Sequence, residues 1–247
     1  MLLLALAGTT ATAFAQAREV TLIAPGGIRA AIEQLVPEFE RKTGITVKPT
    51  FGSGLGTKQQ VALGEAFDVP ILQPPYQEVL ASGNLVAASA KTLARVEVGV
   101  AVRKGAPRPD ISSPDSVRRA LLTAKSIAYP DPAGGAAAGV SFDQMLRRLG
   151  IAAQVESKLI RARGGGAAME IAAKGEAEIG VTFVSEMQEP GLDIVGPLPA
   201  SILPPTTLVG FVSTHAKDPA FAKALLKFLA SREAEHAYRA QHMHAGK

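Results

Sequence analysis

VTLIAPGGIRAAIEQLVPEFERKTGITVKPTFGSG, residues 20–54, is the stretch whose reading decides the fold. EVTLIA is a strand-like run that begins just before it, and PGG then turns the chain. Behind the turn, Ile28, Ala31, Ile32, Leu35, Val36 and Phe39 recur at helical spacing and form one apolar stripe. Thr43-Gly44 stops that helix, and ITVKPTF reads as the next strand. Strand, helix and strand in succession argue for α/β architecture.

The alternation continues outward. A short helix ends at Gly64, FDVPIL is a strand, and a helix from Pro75 ends at Gly83, so residues 19–90 read as a self-contained β-α-β-α-β-α unit. RVEVGVAVRKG, residues 95–105, reads as one long strand with valines on one face. A helix near 117–124, the strand SIAYPD and a helix over 140–149 follow. KLIRAR then runs through Gly164, Gly165 and Gly166 into a helix that ends at Gly175, and AEIGVTFV is the next strand. A proline-rich crossing, DIVGPLPASILPPTTLVGFVS, returns the chain to a helix capped by Asp218-Pro219, with Phe221, Ala224, Leu225, Phe228 and Leu229 as its stripe. Ser231 starts a closing helix. Two α/β units joined by two crossings predict a bilobed protein. Residues 18–95 with 206–247 form one lobe, and 96–205 form the other.

The chain begins MLLLALAGTTATAFAQA, an apolar run followed by two A-x-A sites. It reads as a secretory signal peptide, cleaved after Ala15 or Ala17, although no Lys or Arg follows Met1. No other stretch approaches the roughly 20 apolar residues of a membrane span. With no cysteine in 247 residues there is no disulfide framework, thiolate metal site or lipid-attachment site. These features predict a free periplasmic protein. The net charge of +4 falls wholly on residues 18–247 and includes no basic run interleaved with aromatics, which argues against nucleic acid and mildly favours an anionic ligand.

Chemistry is sought first in FGSGLGTKQQ, residues 51–60. A Walker A loop needs glycine directly before its lysine and Ser or Thr directly after it, but Thr57 and Gln59 flank Lys58. The spacing G-x-G-x-G also misses the dinucleotide fingerprint. What remains is a small-residue turn with one hydroxyl, Ser53, whose backbone N–H groups suit a small anion. PAGGAAAG, residues 132–139, reads either as a flexible loop or as a second such turn. No catalytic constellation is found: FGSGL misses the nucleophile elbow, and no signature pairs a histidine with Ser53. His236, His242 and His244 crowd a C-terminus expected to be a frayed, solvated tail. No metal or other cofactor is expected.

Taken in order, these segments resemble the periplasmic solute-binding proteins (type II) of ABC importers, with the molybdate-binding proteins nearest. The resemblance rests on F-x-x-x-T-G-I-x-V followed by FGSG, on ALGEAFDVPI, on DPAGGAAAGVSF, on AAKGEAEIGVTFVSE and on the closing DPAFAKALLKFLASREAEHAYR. It implies two lobes, each a mixed sheet flanked by helices, closing around a ligand in the cleft between them. It also implies a monomer that captures a small, molybdate-like anion and hands it to a membrane permease. Carried over, the ligand-binding residues are Gly26, Gly27, Ser53 and Gly54 in one lobe, and Ala138, Gly139, Gly165 and Phe183 in the other. Molybdate binders have a serine at Gly27 and a tyrosine at Phe183. Losing two donors worth about 1.5–3 kcal/mol each weakens oxyanion binding by about two decades or more unless other groups compensate.

Arg161 and Arg163 offer such compensation, since a cleft-facing arginine clamps a carboxylate; the other reading turns them to solvent. Arg29 in the first turn of the first helix, and Thr182, Ser185, Tyr129 and Gln73 at strand ends, are further candidates. An organic carboxylate as ligand, a ligand sensor without a permease, and a periplasmic enzyme on the same scaffold remain the alternatives.

Overall fold

Two mixed sheets flanked by helices carry the chain in the computed structural model, which describes residues 18–246. The signal-peptide reading of residues 1–17 lies outside the described residues. The first sheet holds β1 (Glu19–Pro25), β2 (Thr46–Gly52), β3 (Val69–Leu72), β4 (Leu85–Val96), β10 (Thr206–Ser213) and β11 (His244–Ala245). Its order is β11-β4-β10-β3-β1-β2. The second, ordered β7-β6-β8-β5-β9, is built from β5 (Val98–Arg103), β6 (Ile127–Pro130), β7 (Leu159–Ala162), β8 (Ile179–Phe183) and β9 (Leu192–Pro197).

The helices are α1 (Arg29–Thr43), α2 (Gly54–Ala62), α3 (Gln77–Ala81), α4 (Pro114–Thr123), α5 (Ala137–Arg148), α6 (Ala152–Val155), α7 (Gly165–Lys174), α8 (Pro219–Leu229) and α9 (Glu235–Ala240). The stripe read on α1 is the face it buries: Ala31, Ile32, Leu35 and Phe39 are enclosed, with Ile28 just before them. Gly44 ends α1 in the left-handed region, at φ 65°, where glycine carries no steric penalty.

Within the first sheet β1 pairs in parallel with β2 and β3, and within the second β6 pairs in parallel with β7 and β8. The remaining pairings are antiparallel. β3 and β6 are buried along their whole length, as strands covered on both faces are. A buried carboxylate, Asp68, ties the start of β3 to its surroundings. It accepts hydrogen bonds from the Thr21 amide and hydroxyl, both at 2.7 Å, and from the Lys217 amide at 2.6 Å.

Two expectations are corrected. Residues 95–105 are not one strand: β4 starts at Leu85, and the chain changes sheets at Glu97 before β5 begins. β4 pairs with β10, whereas β5 lies between β8 and β9, and hydrophobic periodicity carries no record of a change of partner. The C-terminal segment is not a frayed tail either. β11 pairs with β4, the Gly246 amide donates to the Leu93 carbonyl at 3.0 Å, and His244 Nε2 lies 2.8 Å from Glu97 Oε2.

Candidate functional site

The parallel strands of both sheets point their carboxyl ends at one cavity, of roughly 160 Å³, between the sheets. That is where ligands sit in open α/β sheets, because helices begin there and leave backbone N–H groups unpaired. β1 delivers Pro25, Gly26 and Gly27; β2 delivers Gly52, with Ser53 and Gly54 opening α2; β3 is followed by Gln73. From the second sheet come Ala136, Ala137 and Ala138 at the start of α5, Arg163 to Gly165 at the start of α7, and Phe183 with Glu186 beyond β8.

α1, α2, α5 and α7 all begin at this cavity or one turn from it, and none carries an acidic residue in its first turn. Neither α5 nor α7 has a side-chain cap. The positive ends of their dipoles are therefore left for an outside anion. Ser53 is the exception as a cap, its Oγ accepting from the Gly56 amide at 3.0 Å. The hydroxyl proton is not consumed by that bond and remains a donor. PAGGAAAG is thus partly a tight turn, residues 132–134, and partly the first turn of α5.

Seven of the eight residues expected at the site line this cavity: Gly26, Gly27, Ser53, Gly54, Ala138, Gly165 and Phe183. Gly139 sits behind it. A Cβ there would stand 1.9 Å from the Pro130 carbonyl oxygen, so its place is set by the close approach of α5 to the end of β6. Gly27 and Phe183, the two departures from the molybdate-binder pattern, touch each other. A Cβ on Gly27 would lie 3.0 Å from Phe183 Cδ2, so the ring occupies the direction a serine side chain would take. The two changes form one contact.

The two arginines separate. Arg161 makes two bonds to Glu156, at 2.8 and 3.0 Å, and does not line the cavity. Arg163 lies at its rim, partly in solvent. Gln73 is 2% exposed, and neither atom of its carboxamide has a protein partner. Buried polar atoms are nearly always paired, so this amide is set to meet a ligand or water. Tyr129 is buried with an unpartnered hydroxyl but packs on Phe142, away from the cavity lining.

Glu186 was not anticipated. It follows β8, and one of its carboxyl oxygens accepts from the Thr182 hydroxyl at 2.6 Å. A Cβ on Gly165 would fall 2.1 Å from Glu186 Oε2 and 2.4 Å from Thr182 Oγ1, so only glycine admits this pair. Dehydration raises the Glu186 pKa above the ordinary carboxylate value, opposed by the Thr182 hydroxyl, the Phe183 amide and the charge of Arg29. The available signal was its place just past a strand end that faces the helix starts.

Two bonds close the cavity across the sheets. The Leu55 amide donates to the Gly135 carbonyl at 3.2 Å, and the Ser185 hydroxyl donates to the Gly27 carbonyl at 2.7 Å. No histidine lines the cavity, and the described residues hold no cluster of three or more His, Asp or Glu suited to a metal.

Residues 20–244 match the bacterial extracellular solute-binding protein family. The chain belongs to that family. This solute-binding protein is 32% identical over 239 residues to an aconitate isomerase of a Pseudomonas species, covering 94% of the chain and 89% of that protein. It is 28% identical over 221 residues to the molybdate-binding protein ModA of Azotobacter vinelandii, covering 87% and 85%. The solved periplasmic molybdate-binding protein of Azotobacter vinelandii superposes with a TM-score of 0.78 at 19% identity, covering 92% of this chain and all of that one. The fold is thus that of the type II periplasmic binding proteins.

Proposed function

We propose that the solute-binding protein captures a small organic carboxylate between its two sheets, in preference to molybdate. The observation that carries this is the pairing of Arg163 with the unpartnered Gln73 carboxamide in one cavity, beside a carboxyl group, Glu186. A guanidinium binds a carboxylate in a matched planar fork. A free amide with both donor and acceptor suits a ligand carrying both kinds of group. The Gly27–Phe183 contact leaves molybdate two hydroxyl donors short. The aconitate isomerase relative supports the same ligand class, because aconitate is a carboxylate.

Gly26, Gly27, Gly54 and Gly165 would supply amide donors, Ser53 its hydroxyl and Phe183 an apolar wall. The bodies that open and close are 18–95 with 206–247, and 96–205, hinged where the chain crosses between sheets. A ligand that touches both bodies favours the closed state. The protein then works in the periplasm as a monomer that hands its ligand to the permease of an ABC importer. Calorimetric titration of the ligand-stripped protein tests the reading, with aconitate, citrate and malate against molybdate and sulfate. Saturable heat from a carboxylate and none from molybdate is expected; the reverse result overturns the proposal.

A second reading, that the protein also acts chemically on its ligand, is favoured by the presence of Glu186 and by the name of the isomerase relative.

A further inference from the structure

Capture alone gives no reason for Glu186. A carboxylate facing an anionic ligand repels it, and an amide of the same shape would hydrogen-bond without the charge. Yet the fold makes room for this group on two sides. Gly165 is kept free of a Cβ by the Glu186–Thr182 pair, and a Cβ on Gly26 would lie 3.0 Å from Glu186 Oε1. The carboxyl is thereby held between the start of α7 and the turn that follows β1, on the cavity wall. Thr182 fixes one oxygen at 2.6 Å and leaves the other free of any side-chain hydrogen bond.

We infer that Glu186 is a catalytic proton carrier, and that this cleft moves a proton on an unsaturated carboxylate whose CH2 lies between a C=C bond and a carboxylate. This rests on the carboxylate reading of the cleft. As the ionised base, Glu186 takes a proton from that CH2, and the C–H electron pair spreads over the allylic system into the adjacent carboxylate. Glu186, its carboxyl proton exchanging with solvent, then returns a proton, either to the original carbon or to the far carbon of the double bond, which shifts the double bond by one position. One C–H bond breaks and one forms, and no oxidant, reductant or second reactant is needed.

The other groups of the wall suit the remaining tasks. Arg163, the uncapped amides at the start of α7 and the amides of the Gly26–Gly27 turn face the charge that builds on the carboxylate. Gln73 holds a second polar end of the ligand from the opposite wall. The charged group that acts on Glu186 is Arg29, from the start of α1; Arg163, from the turn before α7, lines the same cavity. Dehydration raises the pKa of the carboxyl, and a base of raised pKa both accepts and returns a proton more readily near neutral pH.

The experiment follows aconitate and glutaconate by proton NMR in D2O with the full-length protein, alongside calorimetric titration of the same ligands. Expected is binding together with loss of the CH2 signal to deuterium. In Glu186→Gln that exchange should fall at least about 100-fold while the Kd changes by no more than about tenfold. Binding without exchange in the native protein overturns the inference and leaves capture standing. No binding of any carboxylate overturns the underlying reading instead. Undiminished exchange in Glu186→Gln also overturns the inference.

Should that variant fail to fold, Thr182→Val gives an independent readout. Removing a hydroxyl that stabilises the ionised carboxyl must move the acidic limb of the exchange profile to higher pH. An unmoved profile counts against Glu186.

Discussion

The wall that the first sheet presents to the cavity, Pro25, Gly26, Gly27, Gly52, Ser53, Gly54 and Gln73, has no charged side chain, whereas the second sheet's wall brings both Arg163 and Glu186. The backbones solve the same problem in the same way. After β1, β2, β6 and β7 the chain turns at the cavity through short, glycine- or alanine-containing segments or Ser53, and a helix starts there. Amide donors of this kind hold any small anion. On the proposed carboxylate reading, the first wall supplies amide donors and the Gln73 carboxamide, and the second adds the charged groups.

The largest effect is expected where the second wall is tightest. Gly165→Ala places a Cβ on the Glu186–Thr182 pair, 2.1 Å from Glu186 Oε2 and 2.4 Å from Thr182 Oγ1, so the pair must move. Thermal unfolding should report a loss of about 1–3 kcal/mol, as overpacking typically gives, and ligand heat should vanish. Native-like binding in this variant would mean that the pair is not part of the site.

Arg163→Ala comes next. Loss of a charge-assisted hydrogen bond at a partly exposed rim should weaken carboxylate binding about 10- to 100-fold, measured by titration. Arg161→Ala, whose guanidinium is engaged by Glu156, should leave the Kd within about twofold, because exposed ion pairs contribute little. Equal losses in the two variants would break the assignment of charge to one rim.

A smaller effect joins the two walls. Because Gly27 meets Phe183, Gly27→Ser and Phe183→Tyr should act together on molybdate affinity. A double-mutant cycle is expected to give a coupling of about 1–2 kcal/mol, and strict additivity would show that the contact plays no part in selectivity.

The smallest effect is on pH. Glu186 has a folded pKa raised above its unfolded value, so its stabilising contribution is complete below the ordinary carboxylate pKa. That contribution is lost as pH rises through the folded pKa. Melting temperatures of the native protein and Glu186→Gln should thus coincide in acid and diverge as pH rises, with the variant the more stable. Parallel curves would place the titration elsewhere.

Much of the fold was legible in residues 20–54. The stripe on α1 is the face it buries, and the strands on either side pair through β1 as neighbours. Seven cavity-lining residues were reached too, through the resemblance to the molybdate-binding proteins, with the small-residue turns at Gly26, Gly27, Ser53 and Gly54 also marking helix starts in the sequence itself. Arg161 and Arg163 were not separable: alternation in a short strand gives two faces but does not say which one meets a cavity. The break at Glu97 was hidden for a similar reason, since β4 and β5 are equally strand-like and differ only in their partners.

The sequence by itself determined the alternation of strands and helices through most of the chain, the small-residue turns that open the helices, and the absence of thiol chemistry and of a nucleotide loop. These depend on local spacing and composition, which a chain carries wherever it folds. Only the tertiary structure decided that Gly27 and Phe183 form one contact, that Gln73 is left unpartnered, and that Glu186 stands against Gly165 and Thr182 at the cavity. Those facts depend on distances between residues far apart in the chain. They follow from how two sheets turn their strand ends toward each other, which no single segment encodes.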